Sequence, residues 1–422
     1  MDVQVTAIGA LLGLIIAIVM ILRKIPPVYA LMAGALTGGI VGGASIVDTV
    51  DLMIGGAGGI IPAVLRILAA GVLAGVLIES GAAATIAQGI VKRVGQTRAL
   101  LALAVATMIL TAVGVFVDVA VITVAPIALA IASQAGLSKT AILLAMIGGG
   151  KAGNIMSPNP NTIAVSEAFN VPLTSVMAAG IIPAAFGVTA TYFIAKRLSN
   201  KGTAVKLEEV ESTNAKGAPS FAAAIVAPLV AIILLMLRPL FDIVVDPMIA
   251  LPLGGLAGAL VMGKFKMMNQ YAISGLNKMS GVAILLIGTG AIAGIISNSG
   301  LRDVLINGLD GLGLPAYALA PASGIFMSAA TASTTAGSAV ASSVFGATLL
   351  ELGVAGLAGA AMVHAGATVL DHLPHGSFFH ATAGSVGMQI NERLKLIPYE
   401  SLVGLIMAIV STLIFGVFQW FL

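Results

Sequence analysis

The sequence predicts an all-α polytopic membrane protein made of two inverted-topology repeats, each with a re-entrant hairpin and a discontinuous helix. Three observations predict it: apolar runs of bilayer-spanning length, residue matches between the two halves, and the placement of lysine and arginine. Of 422 residues, 59% are hydrophobic and only 9% charged, against about 25% charged in a soluble domain. Uncharged runs recur at 3–22, 25–47, 99–117, 168–195, 279–301 and 401–422, each near the ~20 residues an α-helix needs to cross a bilayer. They do not alternate, which argues against a β-barrel. There is no cysteine, so disulfide and thiol chemistry are out of reach. The first run is too long and lacks the basic leader of a cleaved signal peptide, so it reads as a spanning helix. The net charge of +3 is segregated by loop; membrane lipid is an expected partner and nucleic acid is not.

In chain order, crossings are expected at 3–22, 25–47, 60–78, 140–167 and 172–195, with a hairpin at 99–134 that enters and leaves on one side. The polar stretch 196–216 (KRLSNKGTAVKLEEVESTNAK) reads as a flexible cytoplasmic linker between a first repeat, 1–195, and a second, 217–422. The second repeat is expected at 217–237, 247–263, 279–298, a hairpin at 311–350, then 352–384 and 401–422. LAAGVLAGVLIESG (68–81) aligns with IGTGAIAGIISNSG (287–300), matching Gly71, Gly75, Ser80 and Gly81 to Gly290, Gly294, Ser299 and Gly300. AMIGGGKAGNIMSPNPNTIA (145–164) aligns with AMVHAGATVLDHLPHGSFFH (361–380), matching Pro158 to Pro374. With both termini outside, 16 of the 20 Lys and Arg fall inside, as the positive-inside bias requires. Arg238 and Arg302 lie outside, and Arg66 and Lys151 fall within the membrane region. Each half crosses an odd number of times, so the halves are inverted, a signature of secondary transporters.

The breaks carry the chemistry. Irregular backbone at membrane depth is tolerated only when buried or lining a wet cavity. In SPNPNT (157–162), Asn159 before Pro160 is a helix start, and Ser157–Pro158 repeats the arrangement. The restarted half-helix would aim its N–H groups and positive dipole end at the break, a setting that binds anions. Asn159, Asn161 and Thr162 add side-chain donors. In VLDHLPHGSFFH (369–380), Pro374 and Gly376 interrupt, Ser377 is placed to cap the next half-helix, and His375 and His380 flank it. All four histidines (His364, His372, His375, His380) sit in this region, and because histidine as a residue type can change charge near neutral pH, His372 and His380 are candidates for proton coupling and His375 is one for hydroxyl recognition. A zinc site at Asp371, His372 and His375 is disfavoured, because Pro374 spoils a helical histidine face. Asp118 is the only charge between Arg98 and Lys139, and an intramembrane carboxylate is a functional candidate by default. In SAATASTTAGSAVASS (328–343), Ser333, Thr334 and Thr335 are candidate donors to a bound anion, or packing contacts between helices. Lys151 could neutralise an anion or snorkel.

GKAGNIMSPNPNTIAVSEAF, FVDVAVITVAPIALA and VLDHLPHGSFFHATAGSV together resemble the gluconate permease (gluconate:proton symporter) family, within the wider ion-transporter superfamily of inverted-repeat carriers. The resemblance covers most of the chain; the first and third stretches are its most specific parts. It implies homodimers with a scaffold domain, a moving transport domain, two hairpins and two broken helices around a central site. It also implies proton-coupled symport of gluconate or a related small hydroxy-carboxylate across the bacterial inner membrane, by elevator-type alternating access. The family's acidic hairpin position, usually Glu, falls on Asp118. Its proline-rich break, usually closer to Pro-Pro-His-Pro-Gly, falls on Ser157–Thr162 and differs here, so the substrate need not be gluconate. A cation/proton antiporter of the same superfamily is the alternative, though it would need more core carboxylates than this chain offers. No nucleophile–base pair stands out, so neither an enzyme nor a cofactor is expected, only protons as coupling ion and a small organic acid anion as substrate.

Overall fold

The computed structural model describes residues 5–95, 98–205, 217–311 and 313–420. Among them the chain is helical, with only two isolated β-bridges, Val5–Ser299 and Ser138–Ala204. Six helices are long and apolar enough to cross a membrane: Ile61–Glu79, Val117–Ala135, Leu173–Arg197, Phe221–Phe241, Phe265–Ser297 and Ile390–Val417. Four shorter apolar helices join them: Ala7–Leu22, Pro27–Val41, Ala99–Ala112 and Pro247–Val261.

The element order of the first half recurs in the second. Ala7–Leu22 and Pro27–Val41 correspond to Val226–Phe241 and Pro247–Val261. Ile46–Gly59 and Ile61–Glu79 correspond to one 30-residue helix, Met268–Ser297. Ala82–Val94 corresponds to Leu301–Gly311, and the hairpin Ala99–Ala112/Val117–Ala135 to Leu319–Thr331/Thr334–Glu351. The broken helix Lys139–Asn154/Pro160–Ala168 corresponds to Gly356–Gly366/Ser377–Ser385, and Ile181–Arg197 to Ile397–Ser411.

Several bounds differ from the expectation. Ile46–Gly59, Ala82–Val94 and Leu301–Gly311 are helices that hydropathy did not mark. Ile46–Gly59 hides behind Asp48, Asp51 and four glycines; it is nonetheless capped, Asp48 N–H donating to Ser45 Oγ at 3.1 Å. The crossing expected at 279–298 begins eleven residues earlier, at Met268, because Asn269, Gln270, Asn277 and Lys278 are polar yet compatible with a helix. The equivalent of its start is separated in the first half at Ile60, where Pro62 opens the second segment. The second hairpin begins at Leu319 rather than 311. Of the expected linker, Lys196 and Arg197 end a helix and residues 198–205 fold back: Ser138 N–H donates to Ser199 O and Lys139 N–H to Thr203 O, both at 2.9 Å. Residues 206–216 lie outside the described residues.

The helices sort into two packed groups. One comprises Ala7–Leu22 through Ile61–Glu79, with Val226–Phe241, Pro247–Val261 and Met268–Ser297. Its centre is the crossing of Ile61–Glu79 with Met268–Ser297, where backbones touch. A Cβ on Gly71 would lie 2.9 Å from both Gly275 O and Met279 Cγ, and one on Gly275 would collide with Gly71 O. Gly275→Val should therefore force the helices apart and destabilise the protein by about 1–3 kcal/mol or more, read as a lower melting temperature in detergent. The other group holds both hairpins and both broken helices. Its packing is exchanged between halves: Pro160–Ala168 packs on Thr334–Glu351, and Ser377–Ser385 on Val117–Ala135.

Candidate functional site

The exchanged packing brings four helix starts together. Val117–Ala135, Pro160–Ala168, Thr334–Glu351 and Ser377–Ser385 all begin beside one cavity of about 180 Å³. Unpaired N–H groups and the positive dipole end collect at such starts. Asp118, Asn161, Ser333, Thr334, Thr335 and Ser377 line the cavity, as do Phe116, Phe378, Asn154 and Asp371. Val282, from the long helix Met268–Ser297, closes one side, so the cavity lies where the two helix groups meet.

Each break has a local cause. Asn159 Oδ1 accepts from Asn161 N–H and Thr162 N–H, both at 3.0 Å, and from Thr162 Oγ1 at 3.2 Å. Its Nδ2 donates to Asn154 O at 2.8 Å and Asn154 Oδ1 at 2.5 Å. Asn159 thus caps the second half-helix and ties it to the end of the first. Asn161 Oδ1 and Ser157 Oγ are buried and have no hydrogen-bond partner among the described residues. In the second break the cap is Gly376, without a side-chain bond. Ser377, expected to cap, is the first helical residue instead and lines the cavity. At the hairpin tip, Ser333 Oγ accepts from Ala336 N–H at 3.2 Å. Asp118 Oδ1 accepts from Val119 N–H at 2.9 Å.

The other expected residues stand apart from the cavity lining. Ser157, Asn159 and Thr162 are buried behind it. His375 Nε2 contacts Ala330 O at 3.2 Å, and exposed His380 contacts Pro374 O at 2.8 Å. His372 is fully buried in a charged network that sequence reasoning did not assemble. Lys151, 1% exposed, crosses from the first broken helix to the second. Its ammonium donates to Asp371 Oδ1 at 2.6 Å and Thr368 O at 2.7 Å, and lies 2.9 Å from His372 Nδ1. His372 Nδ1 also lies 3.0 Å from Asp371 Oδ1, and its Nε2 meets Ile397 O at 3.1 Å. Asp371 Oδ2 accepts from Thr334 Oγ1 at 2.5 Å, in the cavity wall. Behind His372, Glu400 lies 3.9 Å away and is paired with buried Arg393. Asn154 and Asp371 were legible only as polar neighbours of the breaks; their convergence depends on both halves folding together.

A second ionic cluster joins the two groups. Arg66 pairs with Glu167, at the far end of the first broken helix, and donates to Asp246 Oδ2 at 2.7 Å and Oδ1 at 3.1 Å. Hydrogen bonds from Arg66 hold the Asp246 carboxyl below its ordinary value of 3.8. Its contribution is therefore complete at neutral pH and is lost only as pH falls through that depressed value. Partly exposed pairs contribute little to stability, so Arg66→Ala should unfold nothing but loosen the junction. In this cysteine-free chain, a Ser166→Cys probe beside the cluster should react faster with a maleimide once Arg66 is removed; an unchanged rate would count against a latch.

Comparison with known proteins follows the same lines. A family model described as GntP family permease matches residues 3–418. An uncharacterized transporter of Haemophilus influenzae is 70% identical over 416 residues, covering 99% of both chains. The inner membrane permease YgbN of Escherichia coli is 29% identical over 206 residues, covering 48% of this chain and 45% of YgbN. The crystal structure of the Alcanivorax borkumensis YdaH transporter superposes with a TM-score of 0.66 at 18% identity, covering 87% of this chain and 88% of that one, which is a likeness of fold. Spanning-length apolar helices, a family match along nearly the whole chain and a transporter fold make this an integral membrane transporter, and the chain belongs to the GntP permease family.

Proposed function

We propose that the chain is a secondary active importer that carries a small hydroxy-carboxylate, gluconate or a shorter relative, together with protons across the bacterial inner membrane. The observation that carries this reading is the convergence of four helix N-termini and the polar residues Asn161, Ser333, Thr334, Thr335 and Ser377 on one cavity. The helix ends and the hydroxyls of Ser333, Thr334, Thr335 and Ser377 suit the oxygens of an anion. The amide residue Asn161 in the cavity wall suits a ligand hydroxyl, which can both donate and accept. An organic acid bearing hydroxyl groups supplies both. Asp118 and Asp371 line the same cavity, so an entering anion needs compensation, and a proton on one carboxylate provides it. Asp118 is one acceptor; His372 and His380, outside the lining, are less favoured.

Elevator-type exchange, inverted halves, both termini on the periplasmic side and a homodimer complete the reading. It is supported by the division into two helix groups with the cavity at their junction. A cation/proton antiporter is less favoured, since four positive helix ends oppose a bare cation. The test compares matched labelled acids with and without a hydroxyl, lactate against propionate and glycerate against both. Wild-type carrier should prefer the hydroxylated acid at least about tenfold, because a site built to bond a hydroxyl rejects its absence. Asn161→Leu should narrow that ratio to near unity; an unchanged ratio would remove Asn161 from the site.

A further inference from the structure

We infer that the Lys151–Asp371 ion pair is the coupling device of the carrier: Asp371 takes the proton, and Lys151 thereby becomes the countercharge of the bound carboxylate. The inference rests on the reading of the cavity as an anion site. Among the described residues lining the cavity there is no cation. Lys151 is the nearest buried one, separated from the cavity by the carboxylate it holds, with Asp371 Oδ1 on its Nζ at 2.6 Å and Asp371 Oδ2 on the cavity wall. Asp371 therefore occupies the place an external carboxylate needs. Two anions cannot share one ammonium in a low-dielectric site unless one of them is neutralised.

The exchange balances. A proton from the aqueous side binds the Asp371 carboxylate, and the acid's carboxylate takes up the charge of Lys151 and the hydroxyl of Thr334. Release of the acid returns Asp371 to Lys151 and frees the proton. Neither partner of the pair is left buried and uncompensated at any stage, which forbids empty leaks of either species.

The groups facing Asp371 are compatible with this. Lys151 comes from the first broken helix, Thr334 from the second hairpin and His372 from its own break. His372 Nδ1 is 3.9 Å from Glu400, whose charge is held by Arg393. Asp118 faces the same cavity from the first hairpin. Its carboxylate accepts from Val119 N–H, and among the described residues it forms no ion pair with a cation that an anion could take over.

The experiment uses purified full-length carrier and labelled glycerate, lactate and gluconate, taking whichever binds as probe. In weakly buffered detergent, adding the probe to wild type should draw protons from solution, and its affinity should fall about tenfold per pH unit above the coupling range. In proteoliposomes a pH gradient should drive accumulation. Asp371→Asn keeps a bond acceptor for Thr334 and leaves Lys151 free for the probe. It should bind with less than about twofold change over the same range, take up no proton, retain exchange and lose gradient-driven accumulation. Asp371→Asn with Lys151→Met keeps the site neutral and should fold but lose binding; full binding by that double variant would overturn the role of Lys151. If Asp371→Asn keeps the wild-type pH slope while Asp118→Asn loses it, the device is Asp118, and proton symport still stands. If wild type carries the probe without any proton uptake or pH slope, symport itself fails and the inference with it.

Discussion

Replacing Lys151 with alanine should destabilise the protein by about 3–5 kcal/mol, because it leaves Asp371 buried beside His372 without its cation. The ammonium's contacts with Thr368, Asp371 and His372, all between the two half-helices of the second broken helix, disappear with it. The effect should exceed that of Arg66→Ala, whose partners are partly exposed. Lys151→Met alone should be nearly as harmful, since shape does not replace charge. Adding Asp371→Asn to Lys151→Met should recover most of the lost stability, because paired removal of a buried ion pair is often near neutral. Thermal melts in detergent of the two single variants and the double one measure this coupling. Additive losses would mean the two side chains do not depend on each other.

Asn159→Ala should lower transport about 100-fold at matched expression, equivalent to about 2.7 kcal/mol, with the protein still folded. Loss of an N-cap alone costs about 1 kcal/mol. Here the same side chain also binds both oxygens of Asn154, a cavity residue, so the two half-helices of the break come loose together. Asn159→Asp separates the two roles. It can still cap Asn161 and Thr162, but it sets an oxygen against the Asn154 oxygens. It should therefore lose transport while keeping the cap, and the buried oxygen–oxygen contact should cost stability as well. Uptake of the labelled probe acid and a melting curve on each variant check both statements; normal uptake by either variant would remove the first break from the site.

Much of this organisation could be read from residues. Pro and Asn at 157–161 and Pro374–Gly376 mark helix ends by local backbone chemistry, and both breaks stand where expected. Hydropathy found the apolar crossings but passed over Ile46–Gly59 and Ala82–Val94, whose charges and glycines mask a helical period. It also shortened Met268–Ser297, because polar residues at its start read as loop. The cavity residues that expectation missed, Asn154 and Asp371, each look unremarkable in their own segment. Asp371 acquires meaning from Lys151, 220 residues away, and from Thr334, 37 away; Asn154 does so from the residues of the other half that share its cavity. No local pattern reports such pairings. The histidines mislead for the same reason: their proximity in sequence suggested one cluster, whereas His372 is buried, His380 is exposed and His364 lies buried in a different helix segment.

The most direct measurement is uptake into proteoliposomes of labelled glycerate, lactate and gluconate under an imposed pH gradient, in sodium-free buffer. Acid outside should drive accumulation of at least one hydroxy-acid above its external concentration, and an uncoupler should collapse it. Accumulation driven by sodium at fixed pH, or proton movement driven by a cation with no organic acid present, would contradict a proton-coupled hydroxy-acid carrier.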